Sequence, residues 1–273
     1  MTPKVKNQAS TAAFGARLKW WREHRGHAQL ALSGAAEISQ RHLSFLESGR
    51  AAPSRDMVLR LCAVLDVPLR QQNALMLAAG FAPVWQESDL GAPELAQVNG
   101  ALDHMLAQQE PYPAFVVDRR WNLLRANAGA GNLVAFLLGS APTGAVNLAD
   151  ALVAPDVLRP FIDNWDDVAV HFLRSVQADA VADGTAETAD LLRRLLAYPG
   201  IPPLSRVAPL ETHTPVLSIH FRKGDAILRV FTTIATLGTP QDVTLQEIRI
   251  ECFFPSDPQS AALFRDWTVR KPA

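Results

Sequence analysis

Residues 26–50, GHAQLALSGAAEISQRHLSFLESGR, have the pattern of two short helices joined by a tight turn. The positions suited to burial on one side of this pair are Leu32, Ala35, Ala36, Ile38, Leu43 and Leu46. Ser39 stands where a helix N-cap belongs, because its hydroxyl can accept a hydrogen bond from a backbone N–H of the first turn. Gly49 fits a left-handed position just past the second helix. The pattern therefore predicts a tight helical pair within a larger helical bundle.

Polar side chains occupy the start and the end of the second predicted helix. Gln40 can pair with the edge of adenine, Arg41 can donate two parallel hydrogen bonds to guanine, and Ser44 can contact a base or a phosphate. Phe45 has two interpretations, contact with a thymine methyl group or packing against the next helix. Arg50 can hold a phosphate. This arrangement is typical of a helix that enters the major groove of DNA.

From Phe14 to Val67 the chain resembles, without a gap, the helix-turn-helix of the phage-repressor and xenobiotic-response-element group of bacterial regulators. The resemblance implies that Gln29 opens the first helix of the motif against a phosphate. The expected DNA-binding residues are Gln29, Ser39, Gln40, Arg41, Ser44, Phe45 and Arg50. Glu37 departs from the family pattern, since glycine is usual at this turn and a left-handed conformation costs another residue roughly 1 kcal/mol.

The charge distribution favours the same interpretation. Residues 1–70 contain 11 Lys and Arg against 5 Asp and Glu, whereas the remaining residues contain 15 against 22. The chain as a whole carries a net charge of −1, so its positive charge is concentrated at one end. A basic end is suited to phosphate groups, and double-stranded DNA is the expected partner.

Length and composition indicate a folded protein of more than one domain. The chain has 273 residues, of which 48% are hydrophobic and 19% charged. We expect neither a membrane span nor a signal peptide, because no apolar run reaches the roughly 18 residues that a span needs. Cys62 and Cys252 suggest neither a disulfide framework nor a metal set, so a reducing cytoplasm is the expected location.

The coarse pattern divides the chain into three parts. Residues 1–80 are predicted to form an all-α domain of five helices, with helices near 12–24, 57–65 and 68–79 around the central pair. Residues 81–110 are predicted to be a linker and a connecting helix. Residues 111–273 are predicted to form an α+β domain.

Five strands are predicted in the α+β domain, separated by a helical stretch at residues 129–197. The strands are placed at residues 114–118, 121–126, 216–222, 226–236 and 243–254. Apolar residues alternate in the last three strands, and the predicted apolar face comprises Leu217, Ile219, Phe221, Leu228, Val230, Thr232, Ile234, Ile248, Ile250, Cys252 and Phe254. The opposite face is predicted to be polar. The fold class is therefore a multidomain chain in which the helical domain precedes a PAS-like domain with a five-stranded antiparallel sheet.

Residues 110–127 (EPYPAFVVDRRWNLLRAN) and 231–251 (FTTIATLGTPQDVTLQEIRIE) resemble the MmyB-like ligand-binding domain that follows helix-turn-helix modules in bacteria. The joining stretch at residues 73–83 resembles the same family. The resemblance implies a one-component transcription regulator whose PAS-like domain holds a fatty acid or a similar apolar ligand.

Aromatic and polar residues of the second domain are candidates for that ligand site. The expected ligand-binding residues are Tyr112, Trp121, Arg125, Asn127, Trp165, His171, Arg229 and Phe231. Arg125, Arg222 and Arg229 are the candidates for holding a carboxylate.

No nucleophile–base pattern, metal-ligand spacing or phosphate-binding loop is evident, so we expect neither an enzyme nor a cofactor. A homodimer on a palindromic operator is expected, since such motifs usually bind two half-sites. In the alternative hypothesis, the second domain serves only for dimerisation or protein interaction and holds no ligand.

Overall fold

The computed structural model describes residues 4–140, 144–205 and 216–269, and the chain divides into two compact units. The first unit comprises the described residues up to Glu87 together with Pro240–Val243. The second comprises the described residues from Ser88 to Thr239 and from Thr244 onward. Residues 141–143, which belong to the predicted helical stretch, lie outside the described residues. The domain boundaries after residues 80 and 110 remain predictions.

Five α-helices form the described part of the first unit up to Glu87. They are α1 (Lys4–His24), α2 (Gln29–Ala35), α3 (Gln40–Glu47), α4 (Arg55–Val64) and α5 (Leu69–Ala78). The prediction of a helical first domain is confirmed, although α1 begins eight residues before the predicted start. Side chains from all five helices share one core, which includes Phe14, Leu18, Trp21, Leu32, Leu43, Leu46, Val58, Leu61, Leu75 and Met76.

Helices α1 and α3 approach each other closely at Gly15. A Cβ atom added to Gly15 would lie 2.6 Å from the carbonyl oxygen of Glu47 and 2.9 Å from its carbonyl carbon. Real Cβ atoms do not approach backbone atoms so closely, and the backbone of α3 cannot yield as a flexible side chain can. The absence of a side chain at Gly15 therefore permits the α1–α3 contact.

The segment after α5 folds back onto that helix. The Asn73 side chain accepts hydrogen bonds from the backbone N–H groups of Val84 and Trp85 at 2.9 and 3.0 Å, and donates to the Trp85 carbonyl at 2.7 Å. The indole N–H of Trp85 donates to the Gln72 side chain at 2.8 Å. The first residues of the predicted linker are thus held against α5 by a polar network.

The second unit combines seven α-helices and five strands among its described residues. They are α6 (Ala96–Gln108), β1 (Ala114–Val117), β2 (Leu123–Ala126), α7 (Ala128–Leu138), α8 (Leu148–Val153), α9 (Trp165–Asp183), α10 (Ala186–Leu196), β3 (Ile219–Lys223), β4 (Ala226–Ala235), α11 (Val243–Glu247, whose first residue groups with the first unit), β5 (Arg249–Pro255) and α12 (Pro258–Val269). The strands form one antiparallel sheet in the order β2-β1-β5-β4-β3. The predicted α+β class and the five-stranded sheet are confirmed.

Both faces of the sheet are covered, which corrects the prediction of one apolar and one polar face. The inner face packs against α7, α8, α9, α10 and α12, and it includes Phe115, Phe221, Leu228, Val230 and Phe253. The opposite face packs against α6, and it includes Ala114, Val116, Ile250 and Cys252. We call this second surface the α6 face.

The predicted facing is correct for β3 and β4 and wrong for β5. Ile250 and Cys252 lie on the α6 face, and Phe254 stacks on Phe231 with ring centroids 5.5 Å apart. The inner face of β5 instead carries Phe253 and Glu251. Because β5 is the central strand and both of its faces are covered, apolar alternation does not indicate which face meets the larger core.

The boundaries of two predicted strands are also corrected. Residues 243–247, predicted as the start of the last strand, form α11, and β3 begins at Ile219 rather than at residue 216. Leu245 and Ile248 both pack into the cluster that contains α6. Residues three apart fall on the same side of a helical turn but on opposite faces of a strand, so shared burial favours the helical turn.

We expect Gly15→Ala to destabilise the first unit by about 1–3 kcal/mol, because the added methyl group forces α1 away from α3. Gly34→Ala is the matched control: nothing lies within 4 Å of the added atom in α2, so the higher helix propensity of alanine should stabilise by about 0.5–1 kcal/mol. Urea unfolding of the full chain measures both effects. Equal stability of the two variants would contradict the close approach at Gly15.

Candidate functional site

The first turn of α3 is exposed and its N-terminus is capped. The Ser39 hydroxyl accepts a hydrogen bond from the backbone N–H of His42 at 3.1 Å, as the N-cap prediction required. Gln40 and Arg41 are exposed and Ser44 is half-buried. The structure therefore leaves these polar tips accessible at the end of the helix that was predicted to meet DNA bases.

Phe45 lies between two arginines rather than in the core. The guanidinium carbon of Arg41 is 5.3 Å from the centre of the Phe45 ring, and that of Arg50 is 5.7 Å from it. Such contacts attract a cation to the ring face. The ring thus groups the predicted base contact and the predicted phosphate contact on one surface, which neither interpretation of Phe45 anticipated.

A buried ion pair holds α3 against α1. Arg22 and Glu47 are each 8% exposed, and Arg22 Nε and Nη2 donate to the two Glu47 carboxylate oxygens at 2.6 and 3.1 Å. The hydrogen bond with Glu47 raises the pKa of Arg22. The side-chain amide of Gln29 donates to the same carboxylate at 2.8 Å, so its conformation is set by the pair. No spacing signal distinguished Arg22 and Glu47 from ordinary surface charges in the sequence.

The turn between α2 and α3 places Glu37 in the left-handed conformation that was expected to be strained for a residue other than glycine. Glu37 has φ of 54°, its N–H donates to the Gly34 carbonyl at 3.1 Å, and the next N–H, of Ile38, donates to the Ser33 carbonyl at 2.9 Å. These turn hydrogen bonds and the apolar burial around them offset a cost of roughly 1–2 kcal/mol. Glu37 thus adopts the left-handed position for which glycine was expected.

A cavity of about 360 Å³ lies within the second unit, between the inner face of the sheet and the helices that cover it. Its volume is within the usual range for small-molecule sites, and most of its wall is apolar. The apolar lining residues are Phe115, Trp121, Leu133, Val134, Leu137, Leu148, Leu152, Leu158, Val168, Phe172, Val216, Leu217, Ile219, Phe221, Ile234 and Phe253.

Trp121 contributes to the cavity wall from a left-handed backbone position. Its φ is 64°, its side chain is 4% exposed, and its ring meets Phe172 edge-to-face at a centroid distance of 4.9 Å. The carboxylate of Asp118 accepts hydrogen bonds from the N–H groups of Arg120 and Asn122 at 2.8 and 2.9 Å and so closes the turn around Trp121. The sequence prediction placed Trp121 at the ligand site, and the structure places it in the wall.

Four polar side chains interrupt the apolar wall. They are His171, Ser175, Thr232 and Glu251. His171 and Ser175, which are exposed, lie one turn apart on α9, whereas Thr232 and Glu251 belong to the neighbouring strands β4 and β5. Burial raises the pKa of Glu251 to about 7, against the opposing effects of a hydrogen bond from Thr232 and the positive charge of Arg249. A carboxyl group that titrates near neutrality thus faces the cavity.

The arginine whose charge acts on this carboxyl group is paired with a carboxylate of α9. Arg249, on the same strand as Glu251, forms an ion pair with Asp179 on α9. Among the described residues that line the cavity there is neither an arginine nor a lysine.

Of the eight predicted ligand-binding residues, Trp121 and His171 line the cavity and the other six lie elsewhere. Asn127 is the N-cap of α7 and accepts hydrogen bonds from the N–H groups of Ala114 and Ala130, both at 2.9 Å. Arg125 forms an ion pair with Asp103 at 2.6 Å. These polar side chains lie outside the cavity lining and are bound to neighbouring groups of the fold.

The two strand arginines proposed to hold a carboxylate are also paired outside the cavity. Arg229 lies 3.4 Å from Asp257, and Arg222 lies 2.6 Å from Asp163. The latter pair holds the pKa of Asp163 below its usual value. Neither guanidinium therefore faces the apolar wall.

The remaining three predicted ligand residues are aromatic and pack outside the cavity wall. Tyr112 meets Phe264 edge-to-face with ring centroids 5.6 Å apart, and Trp165 lies under the Arg159 guanidinium, which is 4.7 Å from its ring centre. Phe231 points away from the inner face, where it stacks on Phe254. The alternation predicted for β4 already places Phe231 and Thr232 on opposite faces of the sheet. The sequence itself therefore indicated that Phe231 points away from the inner face.

Glu251 and Thr232 were missed as cavity residues for a definite reason. The sequence placed Ile250 and Cys252 on the main apolar face, which assigned Glu251 to the polar one. The register of β5 reverses this assignment. Thr232 was correctly placed on the inner face, but nothing in the sequence indicated a cavity there.

Comparison with known proteins identifies both units. Residues 98–266 match the family described as MmyB-like transcription regulator ligand binding domain, and residues 13–75 match a helix-turn-helix domain. The chain belongs to the MmyB-like transcription regulator family, as its sequence resemblance indicated. It is therefore a transcription regulator with a DNA-binding and a ligand-binding domain, which is not a class of enzyme.

Among solved structures, the clp gene regulator ClgR from Corynebacterium glutamicum is similar in sequence to part of the chain. One ClgR structure is 31% identical over 26% of this chain and 88% of its own, with a TM-score of 0.23, and another is 24% identical over 37% and 95%, with a TM-score of 0.24. An RNA-binding Light-Oxygen-Voltage receptor is 13% identical over 96% of this chain and 63% of its own, with a TM-score of 0.28. Scores this low support no shared overall structure. No curated protein matches the chain significantly.

Within the described residues, no helix combines the length and apolarity needed to cross a membrane. The same part of the chain contains no group of three or more His, Cys, Asp or Glu side chains arranged to hold a metal ion.

We expect Glu251→Gln to stabilise the protein in alkaline conditions. Because the folded pKa is about 7 and the ordinary value is 4.5, the unfolded chain releases this proton first as the pH rises. The free energy of unfolding therefore falls between about pH 4.5 and 7, and above that window it is lower by roughly 3 kcal/mol. The variant lacks this loss, so its advantage in unfolding free energy should grow from pH 4 to pH 8.

Asp225→Asn removes an exposed carboxylate of the same unit and is the control. Arg249, its ion-pair partner Asp179 and the cavity residue His171 are the same in the wild type and in both variants. Parallel stability profiles for wild type and Glu251→Gln in urea titrations would contradict the burial of this carboxyl group.

Proposed function

We propose that this regulator reads an operator through the exposed first turn of α3 and responds to a small apolar molecule held in the cavity of its second unit. The cavity is the observation that carries the proposal. A domain that only binds other proteins is expected to have a close-packed interior, whereas a ligand-binding domain requires a cavity such as this apolar one of about 360 Å³. The helical segments between β2 and β3 support a PAS-like fold for the second unit, since two strands precede them and three follow.

The DNA contact rests on the surface formed by Gln40, Arg41, Ser44, Phe45 and Arg50. Arg41 and Arg50 share the Phe45 ring, and Gln29 is held by the buried carboxylate of Glu47. Gln29 and Arg50 are suited to phosphates and the first turn of α3 is suited to base edges. We propose that Ser39 contributes as the cap that holds this turn.

A chain of the fatty-acid type suits the walls of the cavity. Leu, Val, Ile and Phe side chains surround it, and burial of each methylene group from water contributes about 0.8 kcal/mol. The arginines suggested for a carboxylate do not line the cavity. We therefore propose a ligand with a fatty acid-like apolar body.

The proposed regulation couples the two sites. We propose a homodimer on a palindromic operator, because helix-turn-helix dimers reach two half-sites about one helical turn apart. A ligand that binds one arrangement of the dimer better than another shifts operator affinity by its difference in binding free energy. The same coupling requires that the operator change the ligand's affinity equally.

We expect Arg41→Ala to lose about 1–3 kcal/mol of binding to the operator and to relax the preference at one base pair. Arg50→Ala should weaken operator and random DNA similarly and reduce the salt slope by about one. Fluorescence anisotropy at several salt concentrations measures both. Arg193→Ala, which removes an exposed arginine of α10, is the control and should change neither.

Equal losses on operator and random DNA for Arg41→Ala would show that this side chain contacts only the backbone. The base-reading role of α3 would then have to be abandoned.

We expect Val134→Trp to fill the cavity, because Val134 lines it from α7. Native mass spectrometry of the full chain should show a bound small molecule in the wild type and none in the variant, and the operator dissociation constants of the two should differ at fixed salt. Val181→Trp places the same side chain at an exposed position of α9 and is the control. An empty wild type with unchanged operator binding in Val134→Trp would favour a domain that only dimerises or binds proteins.

A further inference from the structure

The polar corner of the cavity is built by the pairing of β4 with β5. Ile234 pairs with Glu251 and Thr232 pairs with Phe253, so all four side chains lie on the inner face. The Thr232 hydroxyl donates a hydrogen bond to the Glu251 carboxylate. A carboxylate accepts several hydrogen bonds, so this one leaves capacity directed at a ligand.

The charges around this corner favour a donor over an acceptor. Arg249, the nearby cation on β5, is neutralised by Asp179. The described lining residues include no arginine or lysine, and the Nδ1 atom of the lining His171 is engaged with the Asp167 carbonyl oxygen at 2.9 Å. At a pH where Glu251 is ionised, a ligand carboxylate in the corner would place a second negative charge beside it in apolar surroundings, where like charges repel strongly.

We infer that the cavity selects an apolar molecule whose polar end donates hydrogen bonds, an amine above all, and that Glu251 accepts them. The inference rests on the proposed ligand-binding function and specifies the chemistry of its ligand. An ammonium group meets an ionised carboxylate with a charge-assisted hydrogen bond, a hydroxyl group forms a weaker neutral one, and a carboxylate forms none with ionised Glu251. Affinity should therefore fall in the order amine, alcohol, carboxylate.

Three probes of equal chain length test this order. Decylamine, decanol and decanoate are titrated into the full-length protein, freed of any co-purified molecule, at pH 8 by isothermal titration calorimetry. We expect decylamine to bind the wild type at one site per chain, roughly tenfold or more tighter than decanoate. In Glu251→Gln the ratio of the two affinities should fall by a similar factor, while decanol binding changes little.

Asp225→Asn is the matched control, because it removes one carboxylate from the same unit outside the cavity. It should keep the wild-type preference, which separates Glu251 from general attraction of an amine to an acidic domain. Circular dichroism at the same pH establishes that both variants are folded.

Equal binding of decylamine and decanoate, or an unchanged ratio in Glu251→Gln, would overturn the inference and leave the ligand-binding function standing. Failure of all three probes to bind would overturn both. A preference for decylamine that disappears in Glu251→Gln and persists in Asp225→Asn would support both.

Discussion

The antiparallel pairing of β5 with β1 and β4 is the constraint on which the second unit depends. It places a central strand between two cores, so that Ile250 packs toward α6 while Phe253 packs toward the helices of the inner face. A shift of one residue would exchange these faces and bury a different set of side chains. The same register directs Glu251 into the cavity, so one set of backbone hydrogen bonds determines both the packing and the chemistry of the site.

The first unit depends on a contact of a different kind. Gly15 lets α1 approach α3, and the Arg22–Glu47 pair joins the two helices beside that point. A buried ion pair contributes little net stability against its desolvation, but removal of one partner leaves an unpaired charge and costs several kcal/mol. Its effect here is positional, because the Glu47 carboxylate also holds Gln29 at the start of α2.

Local signals predicted the DNA-binding half of the molecule well. The Ser39 cap, the left-handed positions at Glu37 and Gly49, and the helix periods all concern residues within one or two turns of each other. The cavity was predicted poorly for the opposite reason. Asn127 and Arg125 were suggested as ligand contacts, yet each binds groups some 13–26 residues away, which the sequence pattern does not encode.

The sequence by itself determined the two classes of unit, the presence of a helix-turn-helix and an α+β ligand-binding domain, and the polar first turn of α3. Tertiary structure alone decided which face of β5 meets the inner core, which arginines are already paired, and where space remains between sheet and helices. The physical reason is that period, capping and turn geometry depend on neighbouring residues, whereas a cavity and the charge within it depend on how distant elements pack.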